Sequence, residues 1–265
     1  MRGISEKNVL VTGATSGIGQ AIAVRFAQEG ANVALNYRGE ISSLDETQNL
    51  IQTSISQNQA VQVIPIKGDV RYEDQVTEMF RQAVEKLGSL DILINNAGIQ
   101  IEEASHEVET DDFDLVISVN LRGAYLCARE AIQCFLTQEK AGIIINISSV
   151  HEVIPRPQYL SYSISKGGLQ NMTKTLALEY SRKGIRVNSI APGATKTSIN
   201  DWQNNPEEME EIANFVPMGR VGTPEEMAAI TVFLASEDTS YITGQTLFID
   251  GGLTLYPSFA QSGVT

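Results

Sequence analysis

The sequence predicts an α/β fold: a single doubly wound domain with a mostly parallel, seven-stranded sheet covered by helices on both faces. Three observations predict this fold. Short apolar runs alternate with longer stretches of helical periodicity, a glycine-rich turn follows the first run, and the 265 residues contain neither an internal repeat nor a linker. We therefore expect one domain over residues 1–265.

Each element is predicted from its own pattern. Val9–Thr12 is a short apolar strand, and Ile18–Glu29 is a helix with Ile18, Ile22 and Phe26 on one side. The remaining predicted strands are Asn32–Tyr37, Val61–Ile66, Asp91–Ile94, Ile143–Ile147, Ile185–Ile190 and Thr246–Ile249. The remaining predicted helices are Ser43–Gln57, Glu73–Leu87, Asp112–Leu136, Tyr162–Arg182 and Pro224–Leu234. Ligands of such sheets bind beyond the carboxyl ends of the strands, where the winding reverses.

The bulk composition is typical of a globular protein. Hydrophobic residues make up 42% and charged residues 19%, and no apolar stretch approaches the ~20 residues that span a bilayer. The charged start at Met1–Asn8 leaves no room for a signal peptide, so we expect a cytoplasmic protein. The formal net charge of −13 argues against a nucleic acid or an anionic membrane as partner.

The cysteines and histidines give no sign of a metal site. Cys127 and Cys134 are seven residues apart in a predicted helix and are expected to be buried apolar side chains. His106 and His151 are the two histidines, and no paired cysteine motif accompanies them. We therefore expect no metal.

The turn Thr12–Gly19 has the composition of a phosphate cradle. Glycines permit close approaches that a Cβ would obstruct, and the following helix offers free N–H groups and a positive dipole end to phosphate. The spacing is not G-x-G-x-x-G, but the strand–turn–helix context is that of a Rossmann-type dinucleotide-binding fold. The residues of this turn expected to contact the dinucleotide are Thr12, Gly13, Thr15, Ser16, Gly17, Ile18 and Gly19.

The end of the second strand bears on the choice between NAD and NADP. Folds that prefer NAD usually carry an acidic residue here, whereas this chain reads Asn36-Tyr37-Arg38. Arg38 is placed to accept the 2′-phosphate of NADP, although a solvated surface charge is the alternative. We expect NADP to bind and NAD to be accepted as well.

Two further segments are expected to contact the cofactor. Asp69 and Val70 follow the third strand and could meet the adenine, although Asp69 could instead cap a helix. Asn96, Ala97 and Gly98 follow the fourth strand, where small residues let the backbone pass close to a ligand; an ordinary turn is the alternative.

Tyr162 and Lys166 supply proton-transfer chemistry. Their spacing of four places both on one face of a helix, and Ser149 precedes the tyrosine by thirteen residues. A free phenol ionises near pH ~10, and a nearby ammonium favours the phenolate. The serine hydroxyl can hydrogen-bond the reacting oxygen. The set indicates an oxidoreductase that interconverts alcohols and carbonyl compounds.

The segment 195–217 interrupts the strand–helix alternation. It is polar and lies between Pro192-Gly193 and Pro217. We expect a small helical lid over the substrate, because active-site covers are often built from such insertions. An ordinary surface loop is the alternative.

These motifs together resemble the short-chain dehydrogenase/reductase family over essentially the whole chain. The matching positions are Thr12–Gly19, Asn95–Gly98, Asn120, Ser149, Tyr162, Lys166 and Pro192-Gly193. The resemblance implies that Tyr162 is the acid/base and that Ser149 orients the substrate. It also implies that Lys166 grips the nicotinamide ribose and that Asn120 kinks a helix and holds a relay water. Thr197, together with Pro192 and Gly193, is similar to the residues that hold the nicotinamide.

A narrower resemblance is to the glucose 1-dehydrogenase subfamily. It rests on the segments Asn36–Arg38, Ser148–Glu152, Ile154-Pro155, Tyr162–Gly168 and Gly251–Phe259. It implies oxidation of β-D-glucose to the lactone with NAD or NADP, by a homotetramer. The implied sugar contacts are Gln100, Ser149, His151, Tyr162 and Asn200. Glu152 and Trp202 could add a polar contact and a stacking surface. The alternatives are that His151 is a surface loop residue and that Glu152 is simply solvated, and Trp202 is more simply expected to pack the lid against the core.

Two other functions stay open. The first is reduction of 3-oxoacyl thioesters or other ketones on the same architecture, which would need a basic patch for an acidic carrier protein. The second is a non-catalytic dinucleotide sensor, because fold does not fix function. The apolar tail Leu253–Pro257 suggests a contact between subunits, although it could equally pack on its own subunit.

Overall fold

A computed structural model describes residues 1–56 and 60–255. Within these residues seven strands form one sheet: β1 (Asn8–Val11), β2 (Asn32–Tyr37), β3 (Val63–Lys67), β4 (Ile92–Asn95), β5 (Gly142–Ile147), β6 (Ile185–Pro192) and β7 (Thr246–Ile249). All paired strands are parallel, in the order β3-β2-β1-β4-β5-β6-β7. The predicted doubly wound α/β fold is confirmed.

Eight α-helices connect the strands in the described part of the chain. They are α1 (Gly17–Gln28), α2 (Asp45–Ser54), α3 (Glu73–Leu87), α4 (Thr110–Ile117), α5 (Ala124–Thr137), α6 (Leu160–Tyr180), α7 (Pro206–Phe215) and α8 (Pro224–Ala235). None of the helices described is both long enough and apolar enough to cross a membrane.

Two predicted helices differ from the observed ones. The predicted helix Asp112–Leu136 is divided into α4 and α5 by a π-helical turn, Ser118–Gly123. The predicted helix Ser43–Gln57 instead begins with a 3-10 turn over Ile41–Leu44 and continues as α2. Gln57 itself lies outside the described residues.

The sheet is buried on both faces. In β1, Val9 and Val11 pack with α1, α2 and α8, whereas Leu10 points to the opposite layer of α3, α5 and α6. Successive side chains of a strand alternate between faces, so a continuous apolar run is the pattern expected of a strand covered on both sides. Fully burying a large apolar side chain such as Phe26 contributes about 1.5–3 kcal/mol.

The winding of the sheet reverses at β1. This strand pairs with β2 on one side and with β4 on the other, so the connections leave it in opposite directions. The turns after β1 and β4 therefore separate and leave a crevice at their carboxyl ends. The chain after β5 and β6 borders the same crevice.

The segment 195–217 has the helical content predicted for it. A 3-10 turn, Asp201–Asn204, precedes α7, which is capped by the Asn205 side chain. No residue of α7 is fully buried, whereas Trp202 is 9% exposed and borders the crevice. The segment thus contributes to the lining of the crevice, and α7 is the part of it that has no fully buried residue.

Candidate active site

The crevice is a cleft of about 880 Å³ that brings most of the predicted site together. The predicted residues that line it are Gly13, Thr15, Ser16, Gly17, Ile18, Gly19, Asn96, Ala97, Gly98, Gln100, Ser149, His151, Tyr162, Lys166, Pro192, Gly193, Thr197 and Asn200. Five other predicted residues lie outside its lining: Thr12, Arg38, Asp69, Val70 and Asn120.

The glycine turn presents the amino end of α1 to the cleft. Ser16 is the N-cap residue, but its side chain makes no capping bond and the first turn carries no acidic residue. A Cβ at Gly19 would overlap the carbonyl oxygen of Gly13 and the side chain of Asn96, and Gly17 has a φ of +55°. A positively polarised helix end approached by bare backbone fits the phosphates of a dinucleotide.

Thr12 was predicted to contact the cofactor, and in the structure its side chain is buried beneath the glycine turn. Thr12 is 1% exposed, and its Oγ1 accepts hydrogen bonds from the backbone N–H groups of Asn96 (2.9 Å) and Ala97 (3.0 Å). The Asn96 Nδ2 donates in return to the carbonyl oxygens of Thr12 and Gly13, both at 3.0 Å. These bonds fix the loop after β4 against the glycine turn.

The region expected to hold adenosine contains an ion pair that the sequence reasoning missed. Arg71 donates to both carboxylate oxygens of Asp69, with the Nη2–Oδ2 distance at 2.7 Å. Burial alone would raise the pKa of Asp69, but the hydrogen bonds and charge of Arg71 lower it overall. Asp69 does not cap α3, because Tyr72 occupies the N-cap position. Arg38 is exposed nearby and contributes to lowering the same pKa.

Tyr162, Lys166 and Ser149 meet on one side of the cleft. Lys166 is 4% exposed; its Nζ donates to the carbonyl oxygen of Ile147 at 2.8 Å and lies 5.4 Å from the centroid of the Tyr162 ring. Ser149 lies two residues after the end of β5, and its Oγ accepts a hydrogen bond from the backbone N–H of His151 at 3.2 Å. The helical spacing predicted for the tyrosine and lysine is present in α6.

The pKa of Tyr162 differs from the sequence-based expectation. Burial raises this pKa, and a hydrogen bond with Ser149 opposes the rise only in part. The Lys166 ammonium was expected to lower it, but that group faces the ring and is hydrogen-bonded to Ile147. Burial also lowers the pKa of Lys166, to about 8, while the charge of Glu152 raises it.

Asn120 lies in the π-helical turn between α4 and α5. Its Oδ1 accepts the backbone N–H of Ile99 at 2.8 Å, and its Nδ2 donates to the Ile99 carbonyl oxygen at 2.8 Å and to Ser165 Oγ at 3.1 Å. A π turn inside an α-helix is typical of functional sites. The side chain joins the loop after β4 to α6, the helix of Tyr162 and Lys166.

His151 presents an acceptor to the substrate end of the cleft. Its Nδ1 lies 3.0 Å from the carbonyl oxygen of Ile154, which can only accept, so Nδ1 carries the hydrogen. Burial and the nearby Arg156 lower the pKa of His151, although the bond to Ile154 opposes them. The ring is therefore neutral at pH 7 with Nε2 as an acceptor.

Gln100 and Asn200 use their amide N–H groups within the protein. Gln100 Nε2 donates to the carbonyl oxygen of Ile199 at 2.8 Å. Asn200 Nδ2 donates to the carbonyl oxygen of Thr195 at 2.8 Å and to Thr197 Oγ1 at 3.2 Å. Both side-chain oxygens and the second N–H of Gln100 are left to meet a ligand; the oxygens accept hydrogen bonds and the N–H donates.

Glu152 does not belong to the substrate end, contrary to expectation. Its carboxylate accepts hydrogen bonds from Ser148 and Gln170, and it does not line the cleft.

Sequence reasoning also missed Tyr159, which is 4% exposed and donates to Glu102 Oε2 at 2.8 Å. Its ring packs 6.2 Å from that of Tyr162, and an aromatic residue three positions before the tyrosine was the available signal.

The outer wall of the cleft is apolar. Its members come from the turn after β5, from the segment 195–217 and from the chain after β7: Ile154, Pro155, Pro157, Trp202, Ile212, Phe215, Val216 and Leu253. A ligand that extends along these side chains would meet mainly hydrocarbon, and Arg156 is the charged residue that lines the cleft among them.

Comparison with known proteins finds dehydrogenases and reductases. The family model described as enoyl-(acyl carrier protein) reductase matches residues 13–254. A glucose 1-dehydrogenase of Gluconobacter oxydans is 46% identical over 97% of this chain and 95% of its own length. A 3beta-hydroxysteroid dehydrogenase of Eggerthella lenta is 45% identical over 96% and 95%. The crystal structure of a short-chain type dehydrogenase/reductase from Mycobacterium marinum superimposes with a TM-score of 0.88 at 32% identity, covering 96% of this chain and 97% of the other.

Proposed function

Because the chain belongs to the short-chain dehydrogenase/reductase family, we propose that it oxidises a sugar hydroxyl with NADP or NAD, converting β-D-glucose to glucono-1,5-lactone. The observation that carries the proposal is the single cleft in which the glycine turn and the pair Ser149 and Tyr162 face each other, with acceptor atoms beside them. The first relative named above is a glucose 1-dehydrogenase.

The cofactor would be held by the glycine turn, by Asn96–Gly98, and by Lys166 and Thr197 around the nicotinamide end. When bound, the nicotinamide ring accepts the hydride that leaves the hydroxyl-bearing carbon. The Tyr162 oxygen takes the hydroxyl proton as the O–H bond breaks and the carbonyl forms. Ser149 donates a hydrogen bond to the same oxygen. We assign to Asn120 the holding of a water that would link Lys166 to solvent as a proton relay.

A polyol fits the acceptors beside the reacting hydroxyl. The His151 Nε2 and the side-chain oxygens of Gln100 and Asn200 all accept, and each sugar hydroxyl can donate. A site built of acceptors discriminates against substrates that lack matching donors, because the site's polar groups are then left unpaired. This arrangement favours a sugar over a 3-oxoacyl thioester, as does the net charge of −13, which would repel an acidic carrier protein.

Cofactor choice follows from the adenosine end. No carboxylate stands in Asn36-Tyr37-Arg38 to grip the ribose hydroxyls or repel a 2′-phosphate. Arg38 is exposed and available, while Arg71 is engaged with Asp69. NADP and NAD should therefore both serve.

The apolar outer wall favours one second candidate, oxidation of a hydroxyl on an apolar ring system such as a 3β-hydroxysteroid. The Eggerthella lenta relative carries that activity in its name. Trp202 and Phe215 would cover such a ring system, and Phe215 is 70% exposed without it.

We also propose that the enzyme acts in the cytoplasm as a homotetramer, with residues 195–217 as its lid. Ile164 and Leu178 on α6, exposed by 46% and 85%, offer apolar surface for a partner subunit. The predicted tail contact lies partly outside the described residues, because Tyr256 and Pro257 are beyond them. Light scattering behind size-exclusion chromatography measures the assembly.

One absorbance assay at the nicotinamide band tests the function. Glucose and a 3β-hydroxysteroid are each offered with NAD and with NADP, and an acetoacetyl thioester is offered with NADPH. Reduction of the cofactor by glucose supports the proposal. Reduction by the steroid alone supports the second candidate, and turnover of the thioester alone contradicts both. Tight cofactor binding without any turnover would make the protein a dinucleotide sensor.

A further inference from the structure

Glu152 connects two elements that carry predicted catalytic residues. Ser148 Oγ donates a 2.6 Å hydrogen bond to Glu152 Oε2, and Gln170 Nε2 donates a 2.8 Å bond to Oε1. The backbone N–H of Glu152 donates to the carbonyl oxygen of Ser149 at 3.0 Å. Glu152 is thus hydrogen-bonded to the Ser148 side chain and to the backbone of Ser149, and it also reaches α6 through Gln170.

Gln170 stands on the functional face of α6. Tyr162, Lys166 and Gln170 follow one another at intervals of four residues, so their side chains are stacked on one side of the helix. The bond from Gln170 to Glu152 therefore fastens this face, one turn beyond Lys166, to the turn that contains Ser149. The connection thus joins the turn of Ser149 to the helix of Tyr162.

The Glu152 carboxylate also acts electrostatically on Lys166. Burial lowers the pKa of Lys166 to about 8, and Glu152 is the charged group that raises it. Around the ammonium, β5 contributes the Ile147 carbonyl, α6 contributes the phenol of Tyr162, and the loop after β4 contributes the uncharged Gly98. Burial raises the pKa of Glu152, and the hydrogen bonds from Ser148 and Gln170 and the charge of Lys174 oppose the rise only in part.

We propose that Glu152 is a positioning residue: its hydrogen bonds lock the turn of Ser149 to the face of α6 that carries Tyr162 and Lys166, and from that position its carboxylate acts on the Lys166 ammonium. The significance of this for catalysis rests on the function proposed above. The effect of Glu152 on Lys166 can be tested without substrate or cofactor, so a failure of this proposal can be distinguished from a failure of the proposed function.

The charge is tested by titrating Lys166 in protein labelled with ¹³C and ¹⁵N at lysine, with Lys166→Arg to identify its signal. Glu152→Gln keeps the size of the side chain and removes the charge, so the titration midpoint of Lys166 should fall by about half a pH unit or more. Glu85→Gln removes one charge from the exposed face of α3 and should leave the midpoint in place. An unchanged midpoint in folded Glu152→Gln would overturn the electrostatic part of the proposal.

The connection to α6 is tested separately with Gln170→Leu. This substitution leaves the Glu152 charge and removes its bond to the helix, so kcat should fall several-fold while the Lys166 midpoint stays unchanged. Wild-type kcat in Gln170→Leu would overturn the positioning part. If Glu152→Gln does not fold, Glu152→Asp withdraws the carboxylate by one methylene and should lower the Lys166 midpoint by a smaller amount; a wild-type midpoint in that variant overturns the electrostatic part.

Discussion

The side-chain amide nitrogen of Gln100 donates a 2.8 Å hydrogen bond to the backbone carbonyl oxygen of Ile199. This bond crosses the cleft from the loop after β4 to the segment that follows β6. Ile199 is 39% exposed although Thr197 and Trp202 on either side of it are buried, so this bond is one of the restraints on how the segment lies along the cleft.

Replacement of Gln100 by glutamate should release the segment. A carboxylate cannot donate, and its charge would face the Ile199 carbonyl oxygen, so the KM for the sugar should rise about 10-fold while kcat changes less. Limited proteolysis should cut near Ile199 faster. Gln52→Glu adds the same charge on the exposed side of α2 and is the matched control. An unaltered KM and cleavage rate in Gln100→Glu would show that the bond restrains nothing.

Tyr162→Phe should reduce kcat by about 10²–10⁴-fold, because it removes the only atom placed to take the hydroxyl proton in the proposed reaction. Cofactor affinity, measured by quenching of protein fluorescence, should remain near that of the wild type. Tyr159→Phe is the matched control. It removes a hydroxyl that is bonded to Glu102 outside the reacting centre, so turnover should persist. Near-normal kcat in Tyr162→Phe would remove this residue from the mechanism.

His151 should make stability sensitive to mild acid. Burial holds its pKa below the ordinary value of about 6.5, so the unfolded chain binds a proton more readily than the folded one. The free energy of unfolding is therefore lowered as pH falls below about 6.5, and the KM for the sugar rises as the Nε2 acceptor is protonated. Thermal midpoints across this pH range measure the first effect.

His151→Gln should flatten that dependence of the thermal midpoint, because the titrating group is gone. His106→Gln should leave it unchanged, since His106 is exposed and its nearest partner is the exposed Glu107. Equal slopes in the wild type and in His151→Gln would contradict the assignment of a neutral, buried imidazole.

Gly19→Ala should weaken cofactor binding by at least about 10-fold. The new Cβ would overlap the Gly13 carbonyl oxygen and the Asn96 side chain, so the turn would have to open. Gly167→Ala is a matched control on α6, because a Cβ there meets nothing within 4 Å, and it should stabilise the helix by about 1 kcal/mol. Wild-type affinity in Gly19→Ala, measured by calorimetry with NADP, would contradict the cradle.

Local sequence patterns were sufficient to predict the sheet and the order of the catalytic motifs. The continuous apolar run at Val9–Thr12 reflects a strand that is buried on both faces, and the helical periodicity after Ile18 reflects a helix that is buried on one face. Both patterns can be recognised from residues that are close together in the sequence. The spacing of Tyr162 and Lys166 likewise becomes a geometric relationship as soon as the segment is helical.

Contacts between distant side chains were not predictable in this way. The glutamate at 152 resembled a substrate contact because it stands three residues after Ser149, but its carboxylate turns towards Gln170, eighteen residues further on. Asp69 was expected to meet a ligand or cap a helix, whereas it pairs with Arg71. Such contacts depend on side-chain rotamers that tertiary packing selects, and a single sequence carries little information about these rotamers.

The widened turn Ser118–Gly123 constrains how this protein can change over evolution. A π turn accommodates one residue more than the α-helical pitch allows. Deleting one residue there would let the turn relax to the regular α-helical pitch, so α4 and α5 would keep their register and Leu126 and Phe135 their packing. Asn120, in contrast, would lose its position and its hydrogen bonds to Ile99 and Ser165. Shortening of the chain by a single codon at this point is therefore compatible with the fold but not with the link that Asn120 makes between the loop after β4 and α6.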